Sequence, residues 1–170
     1  SGRIFSDLRR YPKLVGGIDS ESSRRAANFY ESVLDFDERD DLEKPNGVWD
    51  LGSCEASEMA KLVETTYRNV NIALANEFAL HAEDLGIDIG PIIEASNSQP
   101  YSHVHNPGVA VGGHCIPVYP KFYLSTDSEA TLPSSSIAVN ESMPKRAVHS
   151  LYGSEDNALS GKVVAVLGAA

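Results

Sequence analysis

The residues best suited to chemistry lie together in Val111-Gly112-Gly113-His114-Cys115-Ile116-Pro117-Val118. Two glycines allow a tight turn and leave room for a substrate to approach. His114 and Cys115 follow at once. Pro117 suits the first turn of a helix, where its missing N–H costs nothing. The pattern predicts that Cys115 sits at or just before a helix N-terminus. Unpaired N–H groups and the helix dipole there favour a thiolate over a thiol. The pattern predicts a loop that presents an activated sulfur. The alternative is a small buried cysteine that only packs.

Other groups near this stretch carry weaker signals. His103, His105, His114 and Cys115 are permissible zinc ligands, but their spacing matches no common zinc pattern, and no metal is expected. Tyr101, His103 and His105 lie in an irregular stretch from Asn97 to Gly113, with Pro100 and Pro107. A loop this long inside a compact domain is usually functional, although such residues also serve as plain loop surface.

The bulk composition narrows the function class. The chain has 170 residues, 42% hydrophobic and 22% charged, enough for one domain with a core. The net charge of -10 argues against a nucleic-acid surface and does not exclude an anionic small ligand bound by local cations. No apolar run reaches the length of a membrane span. With only Cys54 and Cys115 there is no disulfide framework, and a reducing, cytoplasmic setting is expected.

Several elements must position the cysteine. Lys13 to Ile18 reads as a strand closed by Gly16 and Gly17, followed by a helix capped by Asp19 or Ser20 and running to about Leu34. Ala26, Ala27, Phe29, Tyr30 and Val33 give that helix one apolar face. Asp35 to Gly47 is an exposed connection, and Val48 to Leu51 a short strand. This is βαβ material, with no glycine-rich phosphate fingerprint before it. From Ser53, a plausible N-cap, neither proline nor glycine interrupts the chain until Gly86. Met59, Val63, Tyr67, Val70, Leu74, Phe78 and Leu85 recur at helical spacing. The spacing predicts one helix over 54–85, roughly 48 Å long at 1.5 Å per residue. It reads as a central spine and a homodimer interface. A shorter helix over 89–95 follows, with Ile92 and Ile93 inward. The Cys115 helix is expected to run to about Leu124, and a polar linker over 127–136 to lead to a helix from Ser136 to Leu151, kinked or broken at Pro144. Gly153 to Ser160 reads as a linker, and Lys162 to Gly168 as a buried strand.

Four stretches carry a resemblance. They are Glu58-Met59-Ala60-Lys61-Leu62-Val63-Glu64, Val70 to Glu77, Pro107 to Pro117, and Asn140-Glu141-Ser142-Met143-Pro144. Together, in this order and spacing, the chain resembles the UDP-glucose/GDP-mannose dehydrogenase family, and within it the branch acting on UDP-N-acetylmannosamine. The resemblance implies a mainly α central domain, similar to the C-terminal domain of 6-phosphogluconate dehydrogenase, flanked by α/β parts of two Rossmann-like domains. Residues 1–52 resemble the end of an NAD-binding domain, 53–152 the central dimerisation domain, and 153–170 a linker and the first strand of a UDP-binding domain. On this reading the chain is a middle fragment, inactive when isolated.

The resemblance further implies oxidation of a sugar C6 alcohol to a carboxylate with two NAD. Cys115 matches the nucleophile that forms a thiohemiacetal and then a thioester. Lys61 matches the catalytic lysine, which meets developing oxyanion charge; as a bare sequence position it reads as an exposed helix lysine paired with Glu58 or Glu64. Thr65 stands where the family has Asn, and its hydroxyl has a shorter reach. Tyr119 stands where the family has Asp, and a phenol is a poor base at pH 7. Gly112, Gly113, His114, Tyr101, His103 and His105 fall where the substrate would be held. Asn71 and Asn76 are expected to bond within the helices, and Arg68 to pair with Glu64. Two further readings stand beside this one: a UDP-glucose 6-dehydrogenase, and a non-catalytic helical dimerisation module of a degenerate homologue.

Overall fold

In order along the chain come α1 (Ile4–Arg10), β1 (Lys13–Val15), α2 (Ser20–Val33), β2 (Val48–Asp50), α3 (Cys54–Asp84), α4 (Ile89–Asn97), α5 (Tyr119–Thr126) and α6 (Thr131–Tyr152). The computed structural model describes residues 3–152 and 160–165. The chain is mainly helical with a small α/β part, as the sequence predicts. It divides into two compact units, residues 1–61 and 62–170, the division falling inside α3.

In the first unit β1 and β2 pair in parallel, with Lys13 opposite Val48 and Val15 opposite Asp50. The ladder is extended by Lys13 N–H to the Gly47 carbonyl (2.9 Å) and Leu51 N–H to the Val15 carbonyl (2.8 Å). The connection between parallel strands runs through α2, a βαβ crossover. Asp19 caps α2, its carboxylate accepting the Ser22 N–H at 2.7 Å. The Ser22 hydroxyl and then the Ser22 N–H hold the Asp19 carboxyl below its ordinary range. Phe29 and Val33, expected on the inner face of α2, are exposed instead, and the residue α2 buries is Ser23. A sheet two strands wide, with neighbours about 4.8 Å apart, is too narrow to cover an apolar helix face. The Ser23 hydroxyl is buried because it accepts the Gly17 N–H at 2.8 Å.

Gly16 is required by packing. A Cβ there would lie 1.8 Å from the Ser53 carbonyl oxygen, at the point where α3 starts. Ser53 is the N-cap, its hydroxyl accepting the Ala56 N–H at 3.1 Å. The Cys54 thiol points back and donates to the Gly16 carbonyl at 3.4 Å.

In the second unit α3 ends in a Schellman arrangement. Ile87 N–H reaches the Ala82 carbonyl and Gly86 N–H the Glu83 carbonyl, both at 3.0 Å, with Gly86 at φ +69°. The apolar stripe Val63, Tyr67, Leu74 and Phe78 is exposed. What α3 buries here is its small and polar face: Thr65, Asn69, Ala73, Ala75, Asn76 and Ala82. Its partner is α6. Asn69 and Asn76 bond Ser136 and Asn140, and Glu83 bonds Ser150. Because the partners advance together along both helices, α3 and α6 run in the same direction. The segment between them must therefore carry the chain back along α3, and the cysteine loop lies on that return path.

Three details of the helices differ from expectation. α6 begins at Thr131, so the linker shrinks to residues 127–130. Pro133 is accommodated because first-turn N–H groups have no helical partner. Pro144 lies inside α6 and does not end it, at the cost of the bond its N–H would give the Asn140 carbonyl. On α4, Ile93 is buried but Ile92 is exposed. Residues 162–165 form no strand. The rest of that expected strand, 166–168, and the 153–159 linker lie outside the described residues. No described helix is long and apolar enough to cross a membrane.

Two glycines give contrasting tests. Gly16→Ala meets backbone, and is expected to destabilise the fold by about 2 kcal/mol or more. Gly47, with nothing within 4 Å of an added Cβ, should accept alanine within about 1 kcal/mol, measured by urea denaturation.

Candidate active site

The return path from α4 to α5, residues 98–118, has no regular structure of its own. Side-chain amides take the place of a neighbouring strand. Asn97 bonds both faces of Val104: its Oδ1 accepts the Val104 N–H and its Nδ2 donates to the Val104 carbonyl, each at 2.8 Å. Asn71 on α3 does the same to the flanking residues, donating to the His103 carbonyl at 2.5 Å and accepting the His105 N–H at 2.9 Å. Residues 103–105 are thus laid along α3. Val104 lines a groove with Tyr67, Val70, Leu74, Tyr101 and His103; His103 and His105 are both exposed. The His105 Nδ1 lies 3.0 Å from the Asn106 carbonyl. Tyr101 stands 91% exposed at the preceding turn.

The chain then turns towards the cysteine. Gly108 N–H donates to Asn76 Oδ1 at 2.9 Å, and Asn69 Nδ2 approaches the Ile116 carbonyl at 3.5 Å. Between these two points Gly113 adopts φ +90°, a conformation that favours glycine. Gly112 has no such need; an added Cβ there would meet nothing within 4 Å. The pair therefore divides its roles: Gly113 turns the chain and Gly112 leaves the approach open. His114 is exposed and Cys115 half-buried.

Cys115 precedes the helix by more than the sequence predicts. The regular part of α5 starts at Tyr119, and the proline in its first turn is Pro120, which is fully buried. Pro117 instead lies in the turn that leads in. That turn winds as a helix does, since the Cys115 carbonyl accepts the N–H groups of Val118 (3.1 Å) and Tyr119 (2.9 Å). Cys115 is joined to the helix start by its carbonyl, and the missing N–H of Pro117 leaves one fewer donor there. The Tyr119 ring packs edge-on against Phe122, centroids 5.8 Å apart. At the far end of α5 the Tyr123 hydroxyl donates to Asp127 at 3.1 Å, which pushes the phenol above its ordinary range.

The other expected residues fall on α3. Lys61 is exposed. Thr65 is fully buried, one turn before Asn69 on the same face, its hydroxyl donating to the Leu62 carbonyl at 3.3 Å. Glu64 and Arg68 pair one turn apart at 3.8 Å, as expected. Asn76 and Asn71 both bond within the helices as expected, Asn76 to Asn140 and Asn71 to the Tyr67 hydroxyl at 3.2 Å, and both serve the loop as well. Behind the loop a cavity of about 260 Å³ is lined by Asn69, Val111, Pro117, Ile137, Asn140 and Pro144. The sequence gives Asn69, Asn97 and Asn140 no bonding role. The available signal was an amide placed on a helix face among small residues, with an irregular stretch to satisfy. Among the described residues no three His, Cys, Asp or Glu side chains are grouped to hold a metal ion.

The structure superposes with a TM-score of 0.78 and 35% identity on the UDP-D-ManNAc dehydrogenase of Pyrococcus horikoshii, covering 89% of this chain and 34% of that one. The UDP-N-acetyl-mannosamine dehydrogenase of Staphylococcus aureus gives a TM-score of 0.71 at 32% identity, over 88% of this chain and 34% of that one. In sequence, the UDP-N-acetyl-D-mannosamine dehydrogenase of Methanocaldococcus jannaschii is 38% identical over 143 residues, 84% of this chain and 31% of the relative. The family described as UDP-glucose/GDP-mannose dehydrogenase, central domain, matches residues 55–143. The chain belongs to the UDP-glucose/GDP-mannose dehydrogenase family. It spans about a third of the length of these relatives.

The division of roles between the glycines is testable. Gly113→Ala forces an alanine into positive φ and is expected to cost about 1–2 kcal/mol. Gly112→Ala should stay within about 0.5 kcal/mol in the same urea titration.

Proposed function

We propose that residues 1–170 form part of an NAD-dependent dehydrogenase that oxidises the C6 alcohol of a UDP-sugar, UDP-N-acetylmannosamine or a close analogue, to the uronate. The observation that carries this reading is the Cys115 loop, turned by Gly113, open at Gly112 and wound directly into α5. Cys115 is the nucleophile. Its thiolate adds to the C6 aldehyde, forming a C–S bond while the carbonyl electron pair moves onto oxygen. The Lys61 ammonium meets that developing charge. At the thioester stage water attacks the same carbon, and the tetrahedral adduct expels the thiolate and leaves the carboxylate. Tyr119 borders the nucleophile through its own N–H, and Thr65 supports it from the floor of the site. Gly112, Gly113 and His114 border the reacting carbon, while Tyr101, His103 and His105 meet the nucleotide end of the substrate.

NAD is the oxidant used by the family. The glycine pair between β1 and α2 is no cradle for its pyrophosphate. A Cβ at Gly17 would lie 2.4 Å from the Ser23 nitrogen, and the Gly17 N–H is already given to the Ser23 hydroxyl. No NAD-binding residue is assigned among those described.

The exposed stripe Val63, Tyr67, Leu74 and Phe78 favours a second role, pairing of two copies through α3. A dimer should appear in light scattering at micromolar concentration, and Leu74→Glu should give the monomer. A wild-type monomer would remove this role.

Catalysis is tested on the gene product carrying residues 1–170, with NAD and a panel of UDP-sugars. Two NADH per uronate are expected, with UDP-N-acetylmannosamine preferred over UDP-glucose. Cys115→Ser should form no uronate. Uronate at the wild-type rate in that variant overturns the role given to Cys115, and no NADH from any sugar would leave α3 pairing as the function.

A further inference from the structure

Beneath the cysteine loop lies a chain of buried amides whose orientation is fixed from both ends. Gly108 offers only an N–H, so the Asn76 atom 2.9 Å away must be its oxygen. The Asn76 nitrogen is then left to face Asn140, and it donates to Asn140 Oδ1 at 2.9 Å. The Asn140 nitrogen in turn donates to the Asn69 main-chain carbonyl at 3.0 Å, a group that can only accept. One donor-only end and one acceptor-only end leave a single arrangement of the amides between them. Asn76 is 1% exposed and Asn140 5%. Asn69 continues the chain, its Oδ1 lying 2.8 Å from the Ser136 hydroxyl and its Nδ2 reaching towards Ile116.

We infer that Asn76, oriented by Asn140, is a positioning residue that anchors the cysteine loop at Gly108 and thereby sets the exposure of the Cys115 thiol. The inference rests on Cys115 being the nucleophile. Asparagine meets the demands of position 76. The site needs one atom that accepts a backbone N–H and another that donates to an amide oxygen. Aspartate cannot donate, leucine can do neither, and glutamine is one methylene too long for a buried space. The anchored residue is exposed and lies in irregular chain, so it has no ladder of its own. Without Asn76, the main chain would have no described side-chain anchor between Asn106, beside His105 Nδ1, and Ile116, approached by Asn69.

The test compares the two thiols of the 170-residue chain. Limiting iodoacetamide is applied across a pH series, and alkylation of Cys115 and Cys54 is followed separately by mass spectrometry. Loss of one buried hydrogen bond in Asn76→Ala is expected to raise the Cys115 rate about five- to tenfold. Cys54, in the other unit, should keep its rate. Asn140→Ala frees the Asn76 amide to rotate and should give a smaller rise. A role limited to stability would lower the melting temperature of Asn76→Ala and leave the Cys115 rate at its wild-type value, which would overturn the inference. Hydrogen exchange on the wild type decides the case where the variant fails to fold. The Gly108 amide should exchange at least about tenfold more slowly than that of Gly112, and equal rates would end the proposal. These readouts do not use turnover. If Cys115→Ser still forms uronate, the catalytic reading falls while the alkylation result still reports whether Asn76 anchors the loop.

Discussion

The second unit depends on one buried contact, the amide of Asn76 against the amide of Asn140, 2.9 Å apart. Apolar packing alone would not hold α3 and α6 in register here. The buried face of α3 carries alanines and amides, and the large apolar residues of that helix lie elsewhere. A net contribution of about 1 kcal/mol per hydrogen bond is modest. The asymmetry matters more, because sliding either helix by one residue would leave several buried amides unpaired at about 1–3 kcal/mol each. Register is set by that penalty.

The same network explains the path of the return segment. Two helices that run in one direction need a connection that comes back between their ends, and α4, the loop and α5 supply it. Backbone N–H and C=O groups seek partners, and this connection has no strand to pair with. Asparagine side chains act as the missing strand: Asn97 and Asn71 for residues 103–105, and Asn76 for Gly108. The carbonyl addition proposed for Cys115 would demand a sulfur placed to within a fraction of an ångström. An irregular loop can meet that demand only if rigid helices hold it, and α3 does so here.

The first unit follows a different logic. Its sheet is two strands wide, and Gly16 lets the chain pass against the start of α3 with no room for a Cβ. The aromatic face of α2 and the apolar stripe of α3 stay open to solvent. Both faces have the spacing of buried surface, and the family relatives are about three times as long as this chain.

The sequence by itself determined the order of elements from β1 to α6, because spacing, Asp19, Ser53 and Gly86 act locally; it carried no signal for α1, and the strand it suggested from Lys162 does not form over residues 162–165. It also determined the family, because the four stretches that carry the resemblance are linear. It determined that Cys115 lies in a glycine turn ahead of a helix, since backbone conformation at Gly113 is a property of that residue. Tertiary structure decided which face of α3 is buried. Hydrophobic spacing marked Met59 to Leu85, yet the amide face won, because amides with fixed partners on α6 and the loop cannot be left unpaired. It also decided that α5 begins at Tyr119 and α6 at Thr131, where proline rules permit several starts and packing selects one. The roles of Asn69, Asn97 and Asn140 were illegible in the chain, because an amide's partner is chosen by what the fold brings within 3 Å of it.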